Sequence, residues 1–165
     1  MSKPRIAITM GDPAGIGPEI CLDLLNDRVI SSKCTPIVFG DWSVLQTCAE
    51  KTNKSFEISK ISTTEFSGIQ SPTVFDHAII DPSNFTPGTA DAKTGRATYG
   101  YVTSAIDACL TNKIDAVVTC PANKEALQAA GVKQPGHTEI FAEQTGTEKF
   151  CICLLYTSPS PRDLS

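Results

Sequence analysis

The chain has 165 residues, which is enough for one domain with a buried core. Apolar residues make up 41% and charged residues 19%, a composition that is typical of folded proteins and excludes a disordered chain. The net charge of −4 gives no basic surface for nucleic acid. No apolar run reaches the roughly 18 residues that a membrane span needs, and the N-terminus lacks signal-peptide features. We therefore expect a cytoplasmic protein without nucleic-acid or membrane partners.

Strand-like and helix-like segments alternate along the first half of the chain. Four short apolar runs predict strands, at residues 5–10, 37–40, 56–61 and 74–80. Pro18 suits the first residue of a helix, and the residues after it form one apolar stripe, Ile20, Cys21, Leu24 and Leu25. Asp41 is predicted to be the N-cap of a second helix.

The second half continues the alternation after a polar segment, residues 81–94, that is predicted to be a long loop. Paired apolar residues over 101–110 indicate a helix, and 114–119 is predicted to be a buried strand. Two further helices are predicted, one at 123–130 that ends before Gly131, and one at 139–144 capped by Thr138. This order of elements predicts an α/β fold with a largely parallel sheet.

The seven cysteines are an odd number, and the expected compartment keeps thiols reduced. Cys21, Cys48 and Cys109 fall among apolar positions of predicted helices, and the chain contains no C-x-x-C motif. With two histidines in the whole chain, a zinc site is not expected. Reduced, mostly buried thiols are the preferred interpretation.

A glycine-rich segment, residues 11–19, joins the first predicted strand to the first helix. Gly15 and Gly17 match the first half of the dinucleotide fingerprint G-x-G-x-x-G, but its last glycine would fall at Ile20. No Gly-Lys-Ser/Thr follows, which excludes a P-loop. The segment is either an anion-binding turn at a helix N-terminus or an ordinary tight turn, in which Asp12 caps backbone amides.

Two further segments carry groups that can bind a ligand. Thr119, Asn123 and Lys124 follow the predicted strand 114–119, at the strand end where parallel sheets bind ligands. The alternative is a plain connection in which Asn123 caps a helix and Lys124 is solvated. His137 and Thr138 follow a Pro-Gly turn, where a histidine suits proton transfer, phosphate contact or metal binding. His77 lies in a strand-like run and is predicted to be a surface or packing residue without a role in binding.

Together the three segments resemble the 4-hydroxythreonine-4-phosphate dehydrogenase family of pyridoxal phosphate biosynthesis, over about residues 3–152. The matching motifs are 11–19, the pattern T-x-P-x-N-K at 119–124, and G-H-T-E at 136–139. The resemblance implies an isocitrate/isopropylmalate dehydrogenase-like fold and a homodimer with sites at the interface. It also implies NAD-dependent oxidation of a phosphorylated hydroxy amino acid, with loss of carbon dioxide and a divalent metal (zinc, magnesium or cobalt) as Lewis acid.

The resemblance assigns roles to few residues of this chain. His137 and Thr138 match the substrate-binding pair of the family. Candidate substrate or cofactor contacts, all within matching motifs, are Asp12, Gly15, Gly17, Asn123 and Lys124. The metal ligands of the family are three histidines that follow the His-Thr-Glu motif, and this chain has no histidine after His137. No metal ligand and no catalytic residue are therefore predicted in it.

The last residues break the resemblance. Residues 1–152 are predicted to be the N-terminal part of the dehydrogenase, and 153–165 a non-native tail, because 153–163 resemble a translated sequencing adapter. A natural Pro/Ser-rich tail is the alternative. We expect the chain to be inactive by itself, with uncovered strand edges that favour aggregation. Resequencing the DNA across the codon for Cys153 tests the adapter interpretation.

Two alternative functions remain open at this point. One is a sister oxidoreductase that acts on phosphothreonate or on a cyclic dihydrodiol. The other is a phosphate-binding module without catalysis, which a natural stop codon after Ser165 would favour.

Overall fold

The computed structural model describes residues 3–152, so the predicted tail 153–165 lies outside the described residues. Within that range one sheet of five parallel strands is present, in the order β3-β4-β2-β1-β5. The strands are β1 (Arg5–Thr9), β2 (Thr35–Gly40), β3 (Ser59–Ile61), β4 (Thr73–Asp76) and β5 (Ala116–Thr119). The predicted α/β class with a parallel sheet is confirmed.

Six α-helices connect and cover the strands of the described range. They are α1 (Gly17–Asn26), α2 (Arg28–Lys33), α3 (Trp42–Thr52), α4 (Ala92–Leu110), α5 (Lys124–Ala129) and α6 (His137–Thr145). A 3₁₀ turn, Pro82–Asn84, interrupts the long loop before α4. No helix in the described part of the chain has the length and apolar character needed to cross a bilayer.

The order of the strands reverses beside β1. The chain first moves from β1 to β2 and onward to β4, and then α4 returns it to β5 on the other side of β1. Helices α1 and α3 pack against each other, whereas α4 packs on β1, β2 and β5 and supports α5 and α6. Because crossovers between parallel strands are right-handed, this reversal places α4 on the opposite face of the sheet from α1 and α3. Ligands of such sheets bind at the carboxyl ends of the strands beside the reversal.

The hydrophobic core is concentrated between the sheet and its helices. Phe39 packs on Phe66 and on Phe75, with ring centroids 5.6 and 5.2 Å apart, and Phe66 contacts Phe75 at 5.3 Å. In α1, Cys21, Leu22 and Leu25 are buried. The predicted stripe on α1 is thus confirmed at Cys21 and Leu25, whereas Leu24 is half-buried and the prediction is wrong at Ile20, which is 39% exposed.

Several predicted boundaries are wrong for local physical reasons. β4 ends at Asp76 and not at residue 80, because Ala78 adopts a left-handed conformation (φ 50°) that turns the chain out of the sheet. β3 is a three-residue edge strand. α4 begins inside the predicted loop, where Asp91 and Thr94 form a capping box. Helix α2, six residues long, was not predicted.

The predicted N-cap position of Asp41 is confirmed, and the one of Thr138 is wrong. Asp41 does precede α3, but its carboxylate makes no cap hydrogen bond, and the N–H of Trp42 donates to Oδ1 of Asp76 instead (2.9 Å). Helix α6 begins at His137 with Gly136 at its N-cap, so Thr138 already lies within the helix.

Strand β5 is less buried than its apolar sequence predicts. Ala116 is exposed, and Val118 keeps 53% of its surface accessible, because no described residue covers this face of the strand. On the other face, Val117 and Thr119 are half-buried. An apolar edge strand with one open face is a site for association between chains.

We expect Val118→Lys to reduce concentration-dependent self-association of the 165-residue chain, because a charge on the open face of β5 opposes pairing. Sedimentation velocity over a range of concentrations measures the monomer fraction. Val29→Lys is the matched control, since Val29 is 64% exposed but lies on α2 and not on the open face of β5. A wild-type chain that stays monomeric at every concentration would contradict this expectation.

Candidate functional site

The turn after β1 and the turn after β5 are hydrogen-bonded to each other at the strand-order reversal. The N–H of Cys120 donates to the carbonyl of Thr9 at 2.9 Å, and the N–H of Asp12 donates to the carbonyl of Pro121 at 3.0 Å. The hydroxyl of Thr98 on α4 donates to the carbonyl of Gly11 at 3.1 Å. Two of the three segments selected from the sequence therefore lie side by side, at the sheet edge where ligands bind.

Two glycines of the first turn are required by the packing of the protein itself. Gly11 has a φ of 71°, and a Cβ added to it would lie 2.3 Å from the carbonyl oxygen of Pro121. A Cβ on Gly17 would lie 1.9 Å from the carbonyl oxygen of Met10. Gly15 is exposed, and a Cβ there makes only ordinary contact, at 3.4 Å from the carbonyl oxygen of Asp12. The close approaches at Gly11 and Gly17 are thus made to protein carbonyls.

Asp12 serves the same turn. Its side chain is buried, and Oδ1 accepts a hydrogen bond from the N–H of Ala14 at 2.9 Å. The long loop before α4 also packs here, since the N–H of Gly88 donates to the carbonyl of Ala14 at 2.8 Å. These contacts account for the tight-turn interpretation of the segment. Ligand contact by Asp12, Gly15 or Gly17 stays a prediction.

The third segment lies beside the second. His137 and Thr138, in the first turn of α6, line an open groove of about 430 Å³ together with Val117, Thr119 and Phe141. Gly136 is close to Lys124, because a Cβ added at Gly136 would lie 3.9 Å from Cε of that lysine. All three segments therefore converge on the same end of the sheet. That residues of these segments contact a substrate stays a prediction.

His137 is the group in this groove with the most distinctive environment. Burial lowers the pKa of its half-buried ring, so the imidazole is neutral at pH 7. Its Nε2 atom is buried and has no hydrogen-bond partner among residues 3–152. A neutral imidazole can donate or accept one hydrogen bond at this atom, depending on its tautomer. A ligand oxygen that accepts a hydrogen bond from Nε2–H would satisfy this atom.

Asn123 and Lys124 differ in what they contact. The side-chain oxygen of Asn123 accepts from the N–H of Ala126 at 3.1 Å and so caps α5, as its local interpretation predicts. Lys124 is exposed at the start of that helix. Its ammonium group is the positive charge that this end of the sheet offers to an anion near Gly136.

A buried polar cluster near this edge was missed by sequence reasoning. Asp41 is fully buried, and its carboxylate accepts from the N–H of Ile79 (2.6 Å), the N–H of Ile80 (3.2 Å) and the hydroxyl of Tyr101. Burial raises the pKa of Asp41, and these hydrogen bonds oppose the rise. The cluster fixes the chain that leaves β4 and so positions the start of the long loop. The sequence signal that could have revealed the cluster is an acidic residue, Asp41, directly after the apolar run of β2.

His77 packs next to this cluster, as the sequence predicts. Its ring centroid lies 4.6 Å from that of Phe75, 5.2 Å from that of Tyr101 and 5.8 Å from that of Phe39. Burial lowers the pKa of the ring. His77 is therefore a packing residue of the aromatic core.

Within residues 3–152, no three or more His, Cys, Asp or Glu side chains lie together in a way that could hold a metal ion.

Comparison with known proteins agrees with the motifs. Residues 32–159 match the family model described as pyridoxal phosphate biosynthetic protein PdxA. The chain belongs to this family. It is 39% identical over 153 residues to the 4-hydroxythreonine-4-phosphate dehydrogenase of Desulfosudis oleivorans, covering 92% of this chain and 45% of the relative. It is 37% identical over 154 residues to the D-threonate 4-phosphate dehydrogenase of Cupriavidus necator, covering 92% and 46%.

Solved structures support the same membership. The crystal structure of a 4-hydroxythreonine-4-phosphate dehydrogenase from Burkholderia phymatum superimposes with a TM-score of 0.83 at 35% identity, covering 90% of this chain and 46% of that one. The predicted dehydrogenase-like fold is therefore confirmed for this part. The chain spans somewhat less than half the length of the relatives that it matches.

Proposed function

We propose that this chain is part of an oxidoreductase that oxidises the 3-hydroxyl of a phosphorylated four-carbon hydroxy acid, with 4-hydroxythreonine 4-phosphate as the first candidate. Family membership supports this reaction class. The observation that carries the site is the convergence of His137, Thr138 and Lys124 beside β5, where one buried ring nitrogen has no partner among the described residues.

The residues of this chain act on the anionic parts of such a substrate. The Lys124 ammonium offers a positive charge, and the Thr138 hydroxyl offers a donor at the start of α6. The neutral His137 ring, in the tautomer that carries its hydrogen on Nε2, donates a hydrogen bond to a phosphate or carboxylate oxygen and so gains the partner that this atom otherwise lacks. These groups bind and orient the substrate, while the oxidation yields a β-keto acid that loses its carboxylate as carbon dioxide.

NAD and a divalent metal (zinc, magnesium or cobalt) are part of this proposal, as is a homodimer. The described residues provide no cluster of metal ligands. The close approaches of Gly11 and Gly17 are made to protein carbonyls, so these two glycines need no dinucleotide to explain them. We propose that the metal and most of the NAD contact residues outside the described range or of a second protomer.

D-Threonate 4-phosphate is the second candidate substrate, because a relative named D-threonate 4-phosphate dehydrogenase is about as similar to this chain as the 4-hydroxythreonine-4-phosphate dehydrogenase is. The two compounds share the carboxylate, the 3-hydroxyl and the phosphate ester, and they differ in an amine or a hydroxyl at C2. Lys124, Thr138 and His137 suit the shared anionic groups.

The test uses the complete reading frame that contains residues 1–152, assayed for NAD reduction with each compound. His137→Asn is expected to lower kcat/KM by about 100-fold, because a hydrogen bond to an anion is lost. Lys124→Met should act mainly on KM, with Lys133→Met, also an exposed lysine, as the matched control. Activity on neither compound would refute the proposal. NAD reduction by the 165-residue chain alone would refute its expected inactivity.

A further inference from the structure

Two buried thiols from distant parts of the chain meet beneath the candidate site. Sγ of Cys21 and Sγ of Cys120 lie 3.8 Å apart, although the residues are 99 positions apart in sequence. Cys21 is fully buried, and Cys120 is 5% exposed. Both are free cysteines. The proposed function uses neither of them.

The pair lies between the two turns that form the site. Cys21 is in the second turn of α1, and Cys120 is the residue that directly follows β5. A Cβ added at Gly17 would lie 3.4 Å from Cβ of Cys120, which shows how closely α1 approaches this turn. Thr119, which lines the groove with His137, is the next residue in the chain. A covalent link here would therefore act directly on the site.

The environment of the pair makes the two thiols unequal. The hydrogen bond from Cys21 lowers the pKa of Cys120, although burial opposes this effect. The same hydrogen bond, together with complete burial, raises the pKa of Cys21. The thiolate is the reactive form of cysteine, so Cys120 is the group that reacts first. Because Cys120 is slightly exposed, a small oxidant can reach its sulfur, whereas Cys21 is fully buried.

We propose that Cys21 and Cys120 form a redox-sensitive pair that a hydroperoxide converts into a disulfide joining α1 to the turn after β5. The Cys120 thiolate attacks the peroxide, so that an S–O bond forms, the O–O bond breaks and hydroxide leaves as water after protonation. The Cys21 sulfur then attacks the sulfenic acid, the S–O bond breaks, and the Cys21 proton leaves with hydroxide as a second water. The two thiols lose two electrons, and hydrogen peroxide is reduced to two molecules of water.

Oxidation changes the geometry of the site. A disulfide requires the sulfur atoms to approach to about 2.05 Å, so side-chain rotation and movement of the backbone draw α1 and the turn after β5 together. Thr119 and Pro121 flank Cys120, and both the groove and the hydrogen bond from Asp12 to Pro121 follow this movement. Reduction by a small thiol restores the open pair.

Peptide mapping of the 165-residue chain after treatment with hydrogen peroxide tests the proposal. Trypsin releases Cys21 in peptide 6–28 and Cys120 in peptide 114–124, each with no other cysteine. We expect these two peptides to be joined, two hydrogen atoms lighter than their sum, and to separate with dithiothreitol. Cys109→Ala, which changes a half-buried thiol on α4, should keep the link, and Cys21→Ala should abolish it.

Two results would overturn the proposal. One is that Cys21 and Cys120 stay reduced while the exposed Cys151 is oxidised. The other is a set of cross-links that matches the one formed in concentrated guanidinium chloride, because pairing would then not depend on the folded structure. Both outcomes are read on the wild-type chain and so do not depend on whether a cysteine variant folds.

Discussion

Gly17→Ala is expected to lower the free energy of unfolding by about 3 kcal/mol or more, since overpacking against rigid backbone is among the most costly substitutions. The added Cβ would lie 1.9 Å from the carbonyl oxygen of Met10, and that carbonyl belongs to the chain leaving β1, an inner strand of the sheet. Neither the strand nor helix α1 can move without disturbing the core at Cys21 and Leu22. Urea denaturation followed by circular dichroism measures the change.

Gly15→Ala is the matched control, in the same turn and with the same chemical change. A Cβ at Gly15 comes no closer than 3.4 Å to any neighbour, and the residue is exposed. We expect its free energy of unfolding to stay within about 1 kcal/mol of wild type. Equal effects of the two substitutions would show that the turn tolerates a side chain at Gly17 and that its glycines are not set by internal packing.

Gly11 and Gly17 also show what a sequence can and cannot predict. The position of the turn followed from the apolar run of β1 and from Pro18 at the start of α1. Gly11 approaches the carbonyl of Pro121 in the turn after β5, over 100 residues later, and no local pattern reveals that contact. Gly17 approaches the carbonyl of Met10 in the same turn, which depends on how tightly the turn folds back on itself. The sequence left both interpretations open, and packing explains Gly11 and Gly17.

The convergence of the three segments was predictable to a greater degree. Parallel strands end at one edge of their sheet, so polar residues that follow β1 and β5 had to lie on that edge. The adjacency of β1 and β5 and the place of His137 beside Thr119 required the structure. The exposure of Val118 could not be predicted either, because an apolar strand pattern does not tell whether anything covers each face.

The cluster at Asp41 was missed because its partners are remote. Tyr101 lies 60 residues away on α4, and the backbone donors Ile79 and Ile80 lie in a segment that resembles a strand. A local rule placed Asp41 at the N-cap of α3, which is correct for the residue but does not reveal its carboxylate's partners, because the N–H of Trp42 donates to Asp76. Once β2 and β4 are paired, Gly40 and Asp76 are in register, which brings both carboxylates to one strand end.

Tyr101→Phe is expected to lower the free energy of unfolding by about 2 kcal/mol at pH 7, because it removes one of three donors from a buried carboxylate. Tyr99→Phe is the matched control, since Tyr99 is a half-buried tyrosine on the same helix. Its effect should be within about 0.5 kcal/mol. Thermal unfolding of both variants, followed by circular dichroism, provides the comparison.

The loss of stability caused by Tyr101→Phe should depend on pH in a defined direction. The folded-state pKa of Asp41 is raised above its ordinary value of 3.8 by burial, so stability falls as pH rises through the interval between these two values. Below that interval the carboxyl group is protonated in both folded and unfolded chains, so the folded protein buries a neutral group. Removing the Tyr101 hydroxyl takes away an interaction that lowers the pKa, which raises the folded-state pKa further and widens the interval. The difference in free energy of unfolding between wild type and Tyr101→Phe should therefore be larger at pH 7 than at acid pH. A difference that grows toward acid pH would mean that Tyr101 does not stabilise the ionised form of Asp41.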